Sequence, residues 1–147
     1  MLTVTLVACV LVAVTVTIHS AGLVALVRAL QRSQGESSMS TGSMTWLLIR
    51  TTWMLLLIHL VEIAVWGLFY LGAGLEDGES AFYFSGVTYA TIGYGDVVLQ
   101  EPWRMLAPIE GLTGILMCGL STGFFFAVLL KMLGSEGSGV TVAGAKK

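Results

Sequence analysis

The sequence predicts an all-α membrane protein, with three transmembrane helices and a shorter helix that re-enters between the second and the third. Three observations carry this reading. Apolar types make up 56% of the 147 residues and charged types 11%, with a mean hydropathy of +0.88. Soluble domains carry about 25% charged residues. Nearly uncharged stretches also recur at the length a bilayer asks of a helix, about 20 residues. Residues 1–27 hold no charge, 51–75 only Glu62, and 105–130 only Glu110. Finally, the uncharged stretch 80–95 (SAFYFSGVTYATIGYG) is too short to cross twice and too apolar for an ordinary exterior loop. A net charge of −2 offers no basic surface to nucleic acid, and the composition excludes a soluble enzyme.

The first element, a helix over 3–28 within an N-terminal segment 1–30, has a competing pattern. Thr3-Val4-Thr5 and Val14-Thr15-Val16-Thr17 alternate as a strand does. A lone strand leaves its backbone unsatisfied in lipid, so the helix wins. The start lacks Lys and Arg, and its apolar run is too long for a signal peptide. Leu6-Val7-Ala8-Cys9 is only faintly similar to a lipoprotein cleavage site, with no basic residue before it. Thr3, Thr5, Thr15, Thr17, His19 and Ser20 speckle this helix with polar groups and suggest contact with protein. Packing outside the other helices and interdigitation between subunits both fit.

A Ser- and Gly-rich linker is expected over 31–44, then a second helix over 46–72 and an acidic turn over 73–80. The third spanning helix is expected over 104–131, followed by a disordered tail over 134–147. Arg28, Arg32 and Arg50 flank the linker, and Lys131, Lys146 and Lys147 follow the third helix. By the positive-inside rule the linker and the tail are cytoplasmic and the N-terminus lies outside, as in a multi-pass protein of the inner (plasma) membrane. Glu76, Asp77, Glu79, Asp96 and Glu101 then lie outside against Arg104 alone, a field that concentrates cations; a merely solvated turn is the other reading of the first three.

Cys9 and Cys118 sit in apolar runs with no CxxC spacing, which points to small buried residues. His19 and His59 fall on different helices and no catalytic constellation appears. No helix carries Arg or Lys at every third residue, so a charged voltage sensor is not expected. The short tail leaves no room within this sequence for a nucleotide- or calcium-binding domain.

Within the re-entrant stretch, a half-helix over about 80–91 gives way at Gly93-Tyr94-Gly95, where the chain must turn or extend. A membrane tolerates such backbone only where protein or an aqueous cavity surrounds it, which argues for a pore. Thr91-Ile92-Gly93-Tyr94-Gly95-Asp96 resembles the signature of potassium channels, whose filter is a TVGYG-type loop. The resemblance runs from Phe82 to Leu130. It is to the bacterial two-transmembrane channels, here a pore domain 45–133 with outer helix, pore helix, filter (91–96) and inner helix, behind one additional helix.

That resemblance implies a homotetramer, with no cofactor and K+ as the permeant ion. The carbonyls of Thr91, Ile92, Gly93 and Tyr94 would meet K+, the Thr91 hydroxyl would close the innermost site, and glycine at 93 and 95 would permit left-handed backbone. Tyr83 and Phe84 stand where many channels carry a tryptophan pair, and Tyr83 is expected to reach Asp96 from behind the filter. Val87 occupies the place of a buried Glu found in some relatives, so their filter inactivation is not carried over. Gly114 falls on the gating hinge and Gly119 on a second small position; close helix packing by Gly111, Gly114, Gly119 and Gly123 is the parallel reading. Ile115, Cys118 and Thr122 would line the cavity with Thr91, and Phe126 and Leu130 would converge at the gate.

His59, Glu62 and Glu110 are ionisable groups inside membrane helices, which are costly and commonly functional. Their depths nearly coincide, so one buried cluster behind the pore helix is expected, either a structural hydrogen-bond network or a proton-sensitive site. The function expected is passive, potassium-selective conduction, with lipids and a separate regulatory subunit as partners. The alternatives are a weakly selective cation channel, against which Tyr94 argues, and a non-conducting subunit that modulates another channel.

Overall fold

The computed structural model describes residues 1–33, 41–75 and 77–137. Helix α1 spans Leu2–Ser33, α2 Thr41–Gly72, α3 Gly78–Tyr89 and α4 Leu106–Gly137, with a single 3-10 turn at Trp103–Met105 before α4. Among the described residues there is no strand, and α1, α2 and the stretch Trp103–Met132 are each long and apolar enough to cross a membrane. The chain is therefore an all-helical, multi-pass membrane protein.

The spanning helices run further than their apolar stretches. α2 begins at Thr41, inside the segment expected as linker, and α4 continues to Gly137, inside the expected tail. Charged residues mark where lipid gives way to water, but Arg and Lys are good helix formers and do not stop a helix there. Residues 34–40 of the linker, Glu76 of the acidic turn and residues 138–147 of the tail lie outside the described residues. At its other end α4 starts after the 3-10 turn, and Pro108 falls in its first turn, where a missing N–H costs no helical hydrogen bond.

α3 is wedged between α2 and α4, and α1 packs along α2 and α4. The start of α3 is fixed by Asp77, whose carboxylate accepts from the Ser80 amide at 2.7 Å and from the Ser80 hydroxyl at 2.9 Å. These bonds hold the Asp77 carboxyl below the usual range. Core packing joins Trp66, Tyr70, Ala81, Phe84, Leu99 and Leu106 to Val4, Ala8 and Leu11 of α1.

α1 faces the rest of the chain with Val4, Ala8, Leu11, Thr15, His19 and Leu26, one stripe at helical spacing. Of the polar residues expected to meet protein, Thr15 and His19 do so, whereas Thr3, Thr5, Thr17 and Ser20 point away. Thr5 and Thr17 instead return their hydroxyls to the carbonyls of Met1 and Ala13 one turn back. Gly22 lets α1 close on α2: a Cβ there would stand 2.6 Å from Ile58 Cδ1. Cys9 and Cys118 are exposed rather than buried. Apolar neighbours in a membrane helix do not imply a protein interior, since lipid accepts the same residues.

Candidate functional site

The site is built around the C-terminal end of α3. The Ala90 amide closes the helix on the Gly86 carbonyl. The chain then folds back on itself: the Thr91 amide donates to Thr88 O at 2.9 Å, and those of Ile92 and Gly93 to Val87 O at 2.8 and 3.1 Å. So the amides of 91–93 are all occupied by the end of α3, while the carbonyls of 91–94 accept no hydrogen bond from the described residues.

Backbone hand alternates along this loop. Thr91, Gly93 and Gly95 have φ of 59°, 54° and 80°, and Ile92 and Tyr94 between them are not left-handed. Glycine takes such angles freely. Thr91 does not: a β-branched residue with positive φ is an outlier costing on the order of 1–3 kcal/mol, and strain of this kind collects at functional sites. The side chains of Ile92 and Tyr94 are exposed in the single chain. Chemically, the segment is a short row of unpaired peptide oxygens held by amides that are bonded behind it.

From outside, the Tyr83 hydroxyl donates to Asp96 Oδ2 at 2.8 Å, tying α3 to the far end of the loop. This bond is the main reason the Asp96 carboxyl sits below its ordinary range. The tie is present at neutral pH and is lost as pH falls through that lowered value and the carboxylate takes up a proton. Tyr83→Phe is expected to return Asp96 toward the ordinary range, read by carboxyl NMR titration. An unmoved Asp96 titration counts against the tie. Phe84, the neighbour of Tyr83, is buried and packs edge-on against Tyr70, ring centroids 5.1 Å apart.

Behind α3 stand two polar networks rather than one cluster. Glu110 of α4 accepts from Tyr70 Oη at 2.7 Å and from Ser85 Oγ at 2.6 Å, and Ser85 Oγ lies 2.9 Å from the Ile63 carbonyl. Glu62 accepts instead from the Tyr89 hydroxyl and lies 2.9 Å from Nδ1 of His19 and 3.3 Å, Oε2 to Nδ1, from His59. Equal depth does not bring Glu110 to His59 and Glu62, because the carboxylates approach α3 from different helices and meet successive turns of it. Ser85 and Tyr89 are i, i+4 on α3, so both networks hold the same face of that helix. Among the described residues no buried side-chain nitrogen or oxygen lacks a hydrogen-bond partner.

His19 was expected to meet protein from α1, but sequence reasoning left it out of the buried ionisable cluster. It is fully buried and reaches from α1 into the His59–Glu62 network. The signal was available, since the rule that singled out His59, Glu62 and Glu110 as ionisable groups in lipid applies equally to His19.

The expected hinge and cavity residues lie on α4. Gly114 is pressed against the end of α3, where a Cβ would collide with the Tyr89 carbonyl; at Gly111 it would stand 3.3 Å from the Thr88 carbonyl. Gly119 and Gly123 meet nothing of the same chain within 4 Å. Thr91 and Ile115 share a cleft of about 490 Å³ between α3, the loop and α4. Cys118, Thr122, Phe126 and Leu130 lie further along α4, exposed and outside that cleft.

Residues 54–131 match the model of a family described as ion channel. The chain belongs to the ion-channel family. No curated protein and no solved structure matches it. The matched residues of this channel take in much of α2, all of α3, the 91–96 loop and α4 as far as Lys131, while α1 lies outside them. The His19–Glu62 contact thus joins an ion-channel module to a helix in front of it.

Proposed function

We propose that the chain is the subunit of a potassium-selective channel in the plasma membrane. Four copies surround the conduction path, and each contributes the carbonyls of Thr91, Ile92, Gly93 and Tyr94. The observation that carries this reading is the row of unpartnered carbonyls at 91–94, with left-handed residues at 91, 93 and 95. Backbone carbonyls in nonpolar surroundings need a partner, and a cation stripped of water needs oxygens to replace its hydration shell. One chain supplies one side of such a ring, so the path is complete only in an assembly.

Exposure along α4 supports the same arrangement. Ile115, Cys118, Thr122, Phe126 and Leu130 are open in the single chain and line the cavity and the cytoplasmic narrowing once four copies meet. The N-terminus and the 73–103 segment face outward, and the linker and C-terminus face the cytoplasm.

Purified protein in liposomes tests the reading. Potassium flux is expected, blocked by Ba2+ and not replaced by Na+. Equal sodium and potassium flux makes the pore a weakly selective one; absence of flux from a folded assembly leaves the non-conducting subunit.

A further inference from the structure

We propose that His19, His59 and Glu62 form an intramembrane binding site for a first-row divalent transition metal, with Zn2+ the best fit. The three residues come from two helices, and one ligand atom from each lies within 4.8 Å of the others. His19 Nδ1 is 2.9 Å from Glu62 Oε1 and His59 Nδ1 is 3.3 Å from Glu62 Oε2. Nitrogen and oxygen ligands of tetrahedral zinc, bound at about 2.0–2.2 Å, stand about 3.3 Å from one another. A small adjustment of side chains therefore replaces the shared protons with one ion.

The surroundings match what such a site requires. A metal-bound imidazole almost always gives its other ring N–H to an acceptor, which fixes the tautomer and the ring plane. Here both remaining nitrogens turn toward one hydroxyl: His59 Nε2 lies 3.0 Å from Ser121 Oγ and His19 Nε2 3.4 Å from it. With two lone pairs, that oxygen can accept from both rings. The Tyr89 hydroxyl lies 2.9 Å from His59 Nδ1 and also bonds Glu62, so a fourth oxygen stands beside the three ligands. Two imidazoles and one carboxylate form a ligand set that suits Zn2+, whereas Ca2+ and Mg2+ prefer all-oxygen shells.

The site joins all four helices: His19 from α1, His59 and Glu62 from α2, Tyr89 from α3 and Ser121 from α4. Occupancy fastens α1 to the pore helix. The inference uses no atom of the 91–96 loop and does not rest on potassium selectivity.

The test is metal binding by the full chain in lipid nanodiscs, stripped with chelator and titrated with Co2+. The visible absorption of four-coordinate cobalt is expected at about one ion per chain and is displaced by Zn2+. Ser121→Ala leaves the ligands in place and is expected to weaken binding about 10- to 100-fold. His19→Ala, with α1 still held by its apolar stripe, is expected to abolish the cobalt spectrum. If that variant does not fold, X-ray absorption at the zinc edge of the unmodified protein decides, since two imidazoles are expected in the shell. Absence of stoichiometric binding, binding that survives His19→Ala, or a shell without imidazole overturns the proposal. Conduction is not the readout, so failure here and failure of the pore reading are separate results.

Discussion

Gly93→Ala is expected to reduce potassium flux in liposomes to background while the protein still assembles and melts almost as before. Space is not the obstacle, because a Cβ at Gly93 meets nothing within 4 Å. Handedness is. At a φ of 54° an L-side chain costs roughly 1–2 kcal/mol, and the penalty would be repeated in every copy of the proposed ring. The loop escapes it by letting residue 93 return to right-handed backbone, which turns one carbonyl out of the row that the proposed pore uses. A D-alanine at the same place prefers positive φ and is expected to restore the flux. Wild-type flux in Gly93→Ala would show that the hand of this residue does not matter to conduction.

Gly114→Ala separates two roles for one glycine by the sign of its effect on stability. A glycine whose only purpose is to bend a helix lowers that helix's stability by about 1 kcal/mol, so alanine should raise the melting temperature and change gating. In this fold alanine at 114 meets a backbone oxygen, that of Tyr89, which no rotamer change can move. Relief requires α3 and the start of the 91–96 loop to shift away from α4. Overpacking of this kind costs typically 1–3 kcal/mol, and a fall in melting temperature together with loss of flux is expected. Gly119→Ala, where the chain leaves open space, is the matched control and is expected to cause no such fall. A Gly114→Ala protein that melts higher than the parent would leave the hinge as the role of this residue.

The spanning helices were legible because lipid imposes a simple demand, a long run nearly without charge, and each run here ends at a charged residue, Arg28, Glu76 or Lys131. The short helix and its loop were legible from the loss of charge over 80–95 and from the glycine spacing. Which faces meet was not. Depth along a helix can be counted from sequence, and Glu62 and Glu110 both bond α3, at Tyr89 and Ser85. Rotation about the helix axis cannot be counted in the same way when every face is apolar, and it decides that Glu110 pairs with Tyr70 and Ser85. The partners of His19 were hidden for the same reason: they lie on other helices, at separations no local pattern records. Only Val4, Ala8, Leu11, Thr15 and His19 together, read as a stripe, carry the hint that α1 turns this edge inward.

The two carboxylates that grip Ser85 and Tyr89 belong to the same chain as the helix they grip. In the proposed assembly each protomer would thus bring its half-helix to the shared axis already oriented. The entropy of ordering it is lost when one chain folds, before any neighbour arrives, so rigid wedges meet and little motion remains to be frozen at their seams. A ring closed from such parts takes its bore from the interior of each wedge as much as from the joints between them.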